Sequence, residues 1–338
     1  MKALVTGGAG FLGSHVADEF LKRGIAVVVL DDLSGGEAEN VPSAATFIQG
    51  SITDSALVEN LFATEKFDYV FHLAAYAAEG LSHFIRRYNY TNNVVGSVEI
   101  INACVRHDVQ VLGFTSSIAV YGANQLPMRE ETEPSPEDPY GIAKYAVELD
   151  LRAAKRTFGL NSIVFRPHNV YGERQNIADR YRNVIGIFMN QIMSGEPLTV
   201  FGDGEQQRAF SHVSDVAPIM VEAFLKPSCW NEVFNVGADK PYTVNQLITT
   251  ISNAFDVQPP VRYLDARKEV KEAYSSHEKI RQAIDCPPPL SLVDGVERMA
   301  KWARQHGPRK GGLFTGIEVM KEMPAFWAME MRNEGEQP

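Results

Sequence analysis

Residues 2–32 read Lys2-Ala-Leu-Val-Thr-Gly-Gly-Ala-Gly-Phe-Leu-Gly-Ser-His15, then a stretch to Lys22 with apolar side chains at helical spacing, then Ile25-Ala-Val-Val-Val-Leu-Asp-Asp32. The apolar runs Ala3–Val5 and Ala26–Leu30 read as short buried strands. Between them Gly7, Gly8, Gly10 and Gly13 precede a helix expected over Phe11–Lys22. The unit is strand, glycine turn, helix, strand.

Glycines in such a turn admit backbone angles that side chains forbid, and they let a pyrophosphate approach the main chain. The helix start offers N–H groups and the positive end of its dipole. Asp31, about 20 residues on, ends the second strand, where a carboxylate accepts both ribose hydroxyls of NAD and repels the extra phosphate of NADP. Asp32 is placed to share that role. The unit therefore predicts NAD over Gly7, Gly10, Phe11, Leu12 and Gly13.

The chain has 338 residues, 45% hydrophobic, enough for one large or two ordinary domains. Its formal net charge of −10 argues against non-specific binding to nucleic acid or anionic membrane. Cys104, Cys229 and Cys286 are too dispersed for a disulfide framework or a zinc site, which fits a reducing cytoplasm. The first 15 residues are too glycine-broken for a signal-peptide core, and no apolar run is long enough to span a bilayer.

Further strands are expected at Thr46–Gln49, Phe67–Leu73, Val109–Thr115 and Ser162–Arg166, with helices over Ala56–Thr64, Tyr88–His107 and Pro139–Phe158. Such alternation predicts an α/β fold, a Rossmann-type doubly wound parallel sheet. Ser51 and Ile52 would then lie near the adenine, and the small Leu73-Ala74-Ala75 strand end would admit a ligand closely. His72 reads as a packed strand-end histidine rather than a catalytic one. Beyond Gly172 the rhythm changes, with helices at Val184–Ser194, Val244–Phe255 and Leu292–Gln305 and strands at Leu198–Phe201, Val233–Val236 and Val261–Leu264. Residues 1–172, taking back about 210–237, are expected to form the NAD-binding domain. Residues 173–306 form a smaller C-terminal α/β substrate lobe, and 307–338 a tail. An amphipathic piece at Ile317–Met331 could pack on the body, join a partner or stay mobile.

Tyr140 and Lys144, at i and i+4 after the helix-starting Asp138-Pro139, share one face. A phenol with a pKa near 10 is a poor base, and a nearby ammonium favours its phenolate. Ser117, just past a neighbouring strand, can hydrogen-bond the same substrate oxygen.

With these residues in place the chain resembles the extended short-chain dehydrogenase/reductase family, in particular its nucleotide-sugar epimerases and dehydratases. The resemblance spans residues 1 to about 305. It rests on Gly7–Gly13, Asp31, His72–Ala75, Asn93, Ser117, Tyr140/Lys144, Arg166–Gly172, Gly202–Arg208 and Phe210–Asp215. It implies a 4-keto sugar formed by proton transfer to Tyr140 and hydride transfer to NAD, then hydride return to the opposite face. It assigns catalysis to Ser117, Tyr140 and Lys144, and adds Asn93 to the cofactor contacts. It gives Asn169 a substrate contact and Arg208 and Arg267 the diphosphate, although Arg267 lies in a charged run, Asp265–Glu272, that would also suit a solvated surface. Tyr274 falls where bulk disfavours N-acetylated sugars. Arg174 and Arg182 would grip a charged substrate or solvate a loop.

Departures narrow the expectation. Family dehydratases carry Asp-Glu after the serine/threonine position, and the UDP-glucuronate decarboxylases carry Glu there. Here Ile118-Ala119 can move no proton. The family's usual acid after Gly50 is Ser51, and Tyr76–Tyr90, expected to border the sugar, departs from the subgroup patterns. The expected reaction is C4 epimerisation of a UDP-hexose or UDP-hexuronic acid, UDP-glucose/UDP-galactose first. An epimerase or reductase for another nucleotide sugar is the alternative. A non-catalytic NAD-binding regulator is the remote one, since such proteins typically lack a member of the Tyr/Lys pair. The helices Tyr88–His107 and Pro139–Phe158 resemble those that pair in family homodimers. No metal is expected.

Overall fold

The computed structural model describes residues 1–267 and 270–335. Seven parallel strands form one sheet in the order β3 (Thr46–Gln49), β2 (Ala26–Asp31), β1 (Lys2–Thr6), β4 (Tyr69–His72), β5 (Val111–Thr115), β6 (Ser162–Pro167) and β11 (Val233–Val236). The order reverses between β1 and β4, and in such sheets ligands bind at the carboxyl ends beside that point.

Strand alternation builds two cores. Ala3 and Val5 face α1 (Phe11–Lys22) and α8 (Val213–Phe224), where Phe20 and Phe224 meet edge to face at 5.5 Å. Leu4, Val28 and Leu30 face the other way, onto α2 (Ser55–Glu65), α5 (Gly96–Arg106) and α6 (Pro139–Phe158). Asp138 caps α6, its carboxylate accepting Gly141 N–H at 2.9 Å, and Pro139 occupies the first turn. A third core joins α7 (Val184–Ser194), α9 (Val244–Phe255) and α11 (Leu292–His306) to the parallel pair β8 (Leu198–Phe201) and β13 (Val261–Leu264). The strip β12 (Pro241–Thr243), β9 (Gln207–Ala209), β14 (Glu272–Ala273) edges the cleft between the cores.

Two expectations need correction. The helix expected over Tyr88–His107 is interrupted: α4 (Arg86–Tyr90) passes through a π turn, Thr91–Val95, into α5. Tertiary demands converge there. Buried Asn93 accepts Tyr76 N–H at 2.8 Å and donates to the Tyr76 carbonyl at 3.0 Å, and a Cβ at Gly96 would meet Ile52 Cδ1 at 2.6 Å. The amphipathic piece expected at Ile317–Met331 is helical only in α12 (Ala325–Gly335), and the tail packs on the body through Met323 and Trp327. Among the described residues, no helix is long and apolar enough to cross a membrane.

Candidate active site

A cleft of about 1530 Å³ runs from the glycine turn to the C-terminal lobe. That volume exceeds the roughly 300–1,000 Å³ of a single small-ligand pocket and suits two ligands end to end.

At one end Gly7 has φ +71°, and a Cβ there would meet Ala74 N at 2.7 Å. A Cβ on Gly13 would lie 2.1 Å from the Gly7 carbonyl oxygen. No side chain caps α1, so the N–H groups of its first turn face the cradle. Asp31 Oδ2 accepts Ala9 N–H at 3.0 Å and Oδ1 accepts Leu33 N–H at 2.8 Å. Burial raises its pKa, and Asp32 adds to the rise. Phe11, Leu12, Gly10, Asp32, Ile52, Leu73, Ala74 and Ala75 join this wall.

Mid-cleft, Ser117, Tyr140 and Lys144 converge. Ser117 ends the run after β5 and accepts Ala119 N–H at 3.1 Å. Burial raises the Tyr140 pKa, and a hydrogen bond with the Ser117 hydroxyl works against that rise. Lys144 Nζ donates to the Thr115 carbonyl at 2.7 Å and lies 5.8 Å from the Tyr140 ring centroid. Burial pushes its pKa down to about 7, while Glu148, one turn further along α6, acts upward. Glu148 is itself buried, paired with Arg166 at 2.6 Å and accepting the Ser116 hydroxyl at 2.6 Å. Ile118 and Ala119 line the cleft at the positions where family dehydratases carry acids.

The far end holds Asn169, Arg208 and Arg267. Asn169 has φ +39° and donates to the Ala209 carbonyl at 3.2 Å. Arg208 donates to the carbonyls of Lys271 at 2.9 Å and Val270 at 2.5 Å, tying β9 to the segment beyond the cleft edge. The Arg267 guanidinium stands 4.0 Å from the Phe201 ring centroid.

Three expected contacts do not reach the cleft wall. Ser51 turns its hydroxyl to Thr53 at 2.8 Å. Asn93 is spent on the Tyr76 backbone, so it shapes the wall from behind. Tyr274 is half-buried outside the lining, with its carbonyl accepting Met128 N–H at 3.1 Å. Arg174 is drawn to Asp18 at 2.6 Å, whereas Arg182 lines the cleft beside Asp179. His72 is packed, as expected: it bonds Thr6 and Ser97 at 2.6 and 2.9 Å, and burial holds its pKa down at about 3.

Sequence reasoning missed Gly36, where a Cβ would meet the Ala9 carbonyl carbon at 2.6 Å. The Gly-Gly pair at 35–36 was the available signal. It also missed His168, which lines the cleft and whose Nε2 lies 3.1 Å from His277 Nε2. His277 in turn bonds Asp239 at 2.6 Å.

The model of the NAD dependent epimerase/dehydratase family matches residues 3–237. The chain belongs to that family. A putative UDP-glucose 4-epimerase of Methanocaldococcus jannaschii is 33% identical over 307 residues, covering 90% of this chain and 98% of the relative. Among solved structures, the UDP-glucose 4-epimerase of Thermotoga maritima with UDP-glucose aligns at TM-score 0.86 and 36% identity, over 90% of this chain and 99% of the other. That of Thermus thermophilus with NAD aligns at TM-score 0.84 and 30% identity, over 89% and 98%. In this epimerase-family chain the matched region carries both the glycine cradle and the Ser117, Tyr140, Lys144 cluster.

Proposed function

We propose that the protein interconverts the C4 epimers of a UDP-hexose or UDP-hexuronic acid with tightly held NAD. The observation that carries this reading is the convergence of Ser117, Tyr140 and Lys144 on one cleft, between a glycine cradle and an arginine-bearing end, with no acid at 118–119. The cradle fits NAD: Cβ atoms at Gly7, Gly13 and Gly36 would collide with the close-packed backbone that shapes it, and the uncapped start of α1 faces it. Residues 1–172 with about 210–237 would hold the cofactor, and 173–306 the nucleotide sugar.

The glycine cradle with Asp31 would hold NAD, whose chemistry would be to accept hydride from the sugar C4 and return it, and whose positive charge would favour the Tyr140 phenolate. Tyr140 accepts the C4 hydroxyl proton and gives it back after the ketone turns over. Ser117 orients that oxygen, and Lys144 stabilises the phenolate by charge. Asn169, Arg208 and Arg267 are assigned to the sugar and diphosphate. Ser51, Asn93 and Tyr274 stand outside the lining and are given no direct contact. UDP-glucose is the first-choice substrate. A hexuronic acid is the second: Arg182 lines the cleft, and a guanidinium suits a C6 carboxylate.

The test is purified protein incubated with UDP-glucose, and separately UDP-glucuronic acid, without added NAD, followed by the anomeric protons in NMR. Conversion of either to its C4 epimer with no NADH released supports the reading. No conversion even with NAD supplied overturns it for these substrates. Tyr140→Phe should keep NAD and lower kcat by about 10²–10⁴-fold, an effect a binding protein without turnover would not show. The three cysteines are free, two of them buried, which suits a cytoplasmic protein. A homodimer is part of this reading and is argued below.

A further inference from the structure

Two stretches depart from the family pattern: Tyr76–Tyr90, which lies within the matched region but follows no subgroup, and the tail from residue 307, which lies beyond the resemblance. In the fold they meet. Leu81, Phe84, Met323 and Trp327 form one buried apolar cluster. Phe314 packs against Tyr76 at 5.2 Å and Tyr88 at 5.0 Å. The Glu318 carboxylate accepts the N–H groups of Arg87 and Tyr88, each at 2.8 Å. Upstream, Arg309 pairs with Glu37 and Glu39, and its backbone is held by Asn190 of α7 at 2.9 Å. The tail is thus strapped to both halves of the cleft. The near-full-length matches leave about a tenth of this chain uncovered, a share the size of this tail.

The strap ends on the substrate half of the cleft. Trp327 is 2% exposed yet contributes to the cleft wall. Its ring meets Phe201 at 6.1 Å and Tyr181 at 5.2 Å, both edge to face. The Arg267 guanidinium sits in the corner these rings make, 4.0 Å from the Phe201 centroid and 5.4 Å from that of Trp327. Such a corner attracts a guanidinium, strips water from one side of it and limits its rotamers, which lowers the ordering cost of binding.

We propose that Trp327 is a positioning residue: the tail sets Arg267 in an aromatic corner with Phe201, so that this arginine is preorganised for the diphosphate of the nucleotide sugar. The inference rests on the proposed epimerase reading. It differs from the tail being a plug, which would compete with substrate rather than organise its site.

The test uses the full chain with its NAD and the probe UDP, measured by titration calorimetry, beside KM and kcat for the epimerised sugar. Trp327→Ala should raise the UDP Kd and the sugar KM about tenfold, a change of about 1.4 kcal/mol in binding, with kcat and NAD content little changed. Trp327→Leu keeps an apolar side chain in the cluster without the aromatic face and guards against misfolding. It should still melt cooperatively, at a Tm no lower than that of Trp327→Ala, and still weaken UDP, whereas Trp327→Phe should recover most of the affinity. Unchanged UDP affinity in the folded Leu variant overturns the proposal, and tighter UDP binding on removal of the ring overturns it in favour of the plug. A wild-type protein that neither binds UDP nor epimerises overturns the functional reading and this inference with it. A wild-type protein that does both, matched by Trp327→Leu, overturns this inference alone.

Discussion

Lys144 carries opposing demands. Its ammonium is useful only if charged, yet it is 2% exposed and burial pushes its pKa down to about 7, from 10.5 in the unfolded chain. Between those values the unfolded chain holds the proton and the folded chain does not. Stability from this group therefore rises with pH across about 7 to 10.5, and below 7 the full cost of burying the ammonium is present. Replacing it by an apolar side chain of similar length removes that cost. The lost bond to the Thr115 carbonyl, worth about 1 kcal/mol, offsets part of the gain. Lys144→Met should thus have a higher Tm than wild type at pH 6–7, a gap that narrows toward pH 10, and should lose activity. A thermal melt series across that range checks it. The pair Tyr140/Lys144 was legible in the sequence because i and i+4 on a helix fix the geometry locally. So were Gly7, Gly13 and Asp31, whose tasks are set within one strand–turn–helix–strand unit. Ser51, Asn93 and Tyr274 were not: Ser51 turns its hydroxyl to Thr53 in a local turn, Asn93 is taken up by the Tyr76 backbone, and Tyr274 is seated by its carbonyl, which accepts Met128 N–H from a distant segment.

Elements follow the same division. Strands and helices with strong apolar periodicity, such as β2, α1 and α7, lie within a residue of where the sequence puts them. The π turn at Thr91–Val95 escaped notice, since nothing in local propensity distinguishes it from the helix on either side. Its cause is the docking of Asn93 and the close approach of Ile52 to Gly96. Helix α6 is joined to β6 by another long-range feature, the buried pair Glu148–Arg166, whose side chains are 0% and 1% exposed. Removing one partner strands the other charge without water. Arg166→Leu should therefore destabilise the protein by about 3–5 kcal/mol in urea unfolding, and the double replacement Glu148→Met with Arg166→Leu should restore most of that loss.

At the scale of the molecule, the sheet and its cleft were predictable from the alternation of elements, while the seat of the tail was not: its residues carry no strong period, and its partners are scattered over the atypical segment at 76–90, Glu37 and Glu39, Asn190 and Phe201. Among the described residues, α6 leaves an apolar stripe without a cover. On α6, Ile142 and Leu149 are 40% and 46% exposed, seven residues apart on one face, with Tyr145 and Ala146 half-buried between them. Val95, 51% exposed, lies on the neighbouring π turn. Scattered exposed apolar residues are ordinary, but a stripe along one helix that continues onto an adjacent segment suits an interface. A second copy of the chain is the economical occupant, because a two-fold axis would bring the same stripe against itself and build four helices from two pairs. Light scattering should give a dimer near twice 37.5 kDa. Leu149→Lys places a charge in the stripe, and in the symmetric pair it does so twice. That variant should run as a monomer with its NAD retained, because Leu149 lies on the outer face of α6, opposite the side that carries Lys144 to the cleft. A wild-type monomer, or a Leu149→Lys dimer, would place the interface elsewhere.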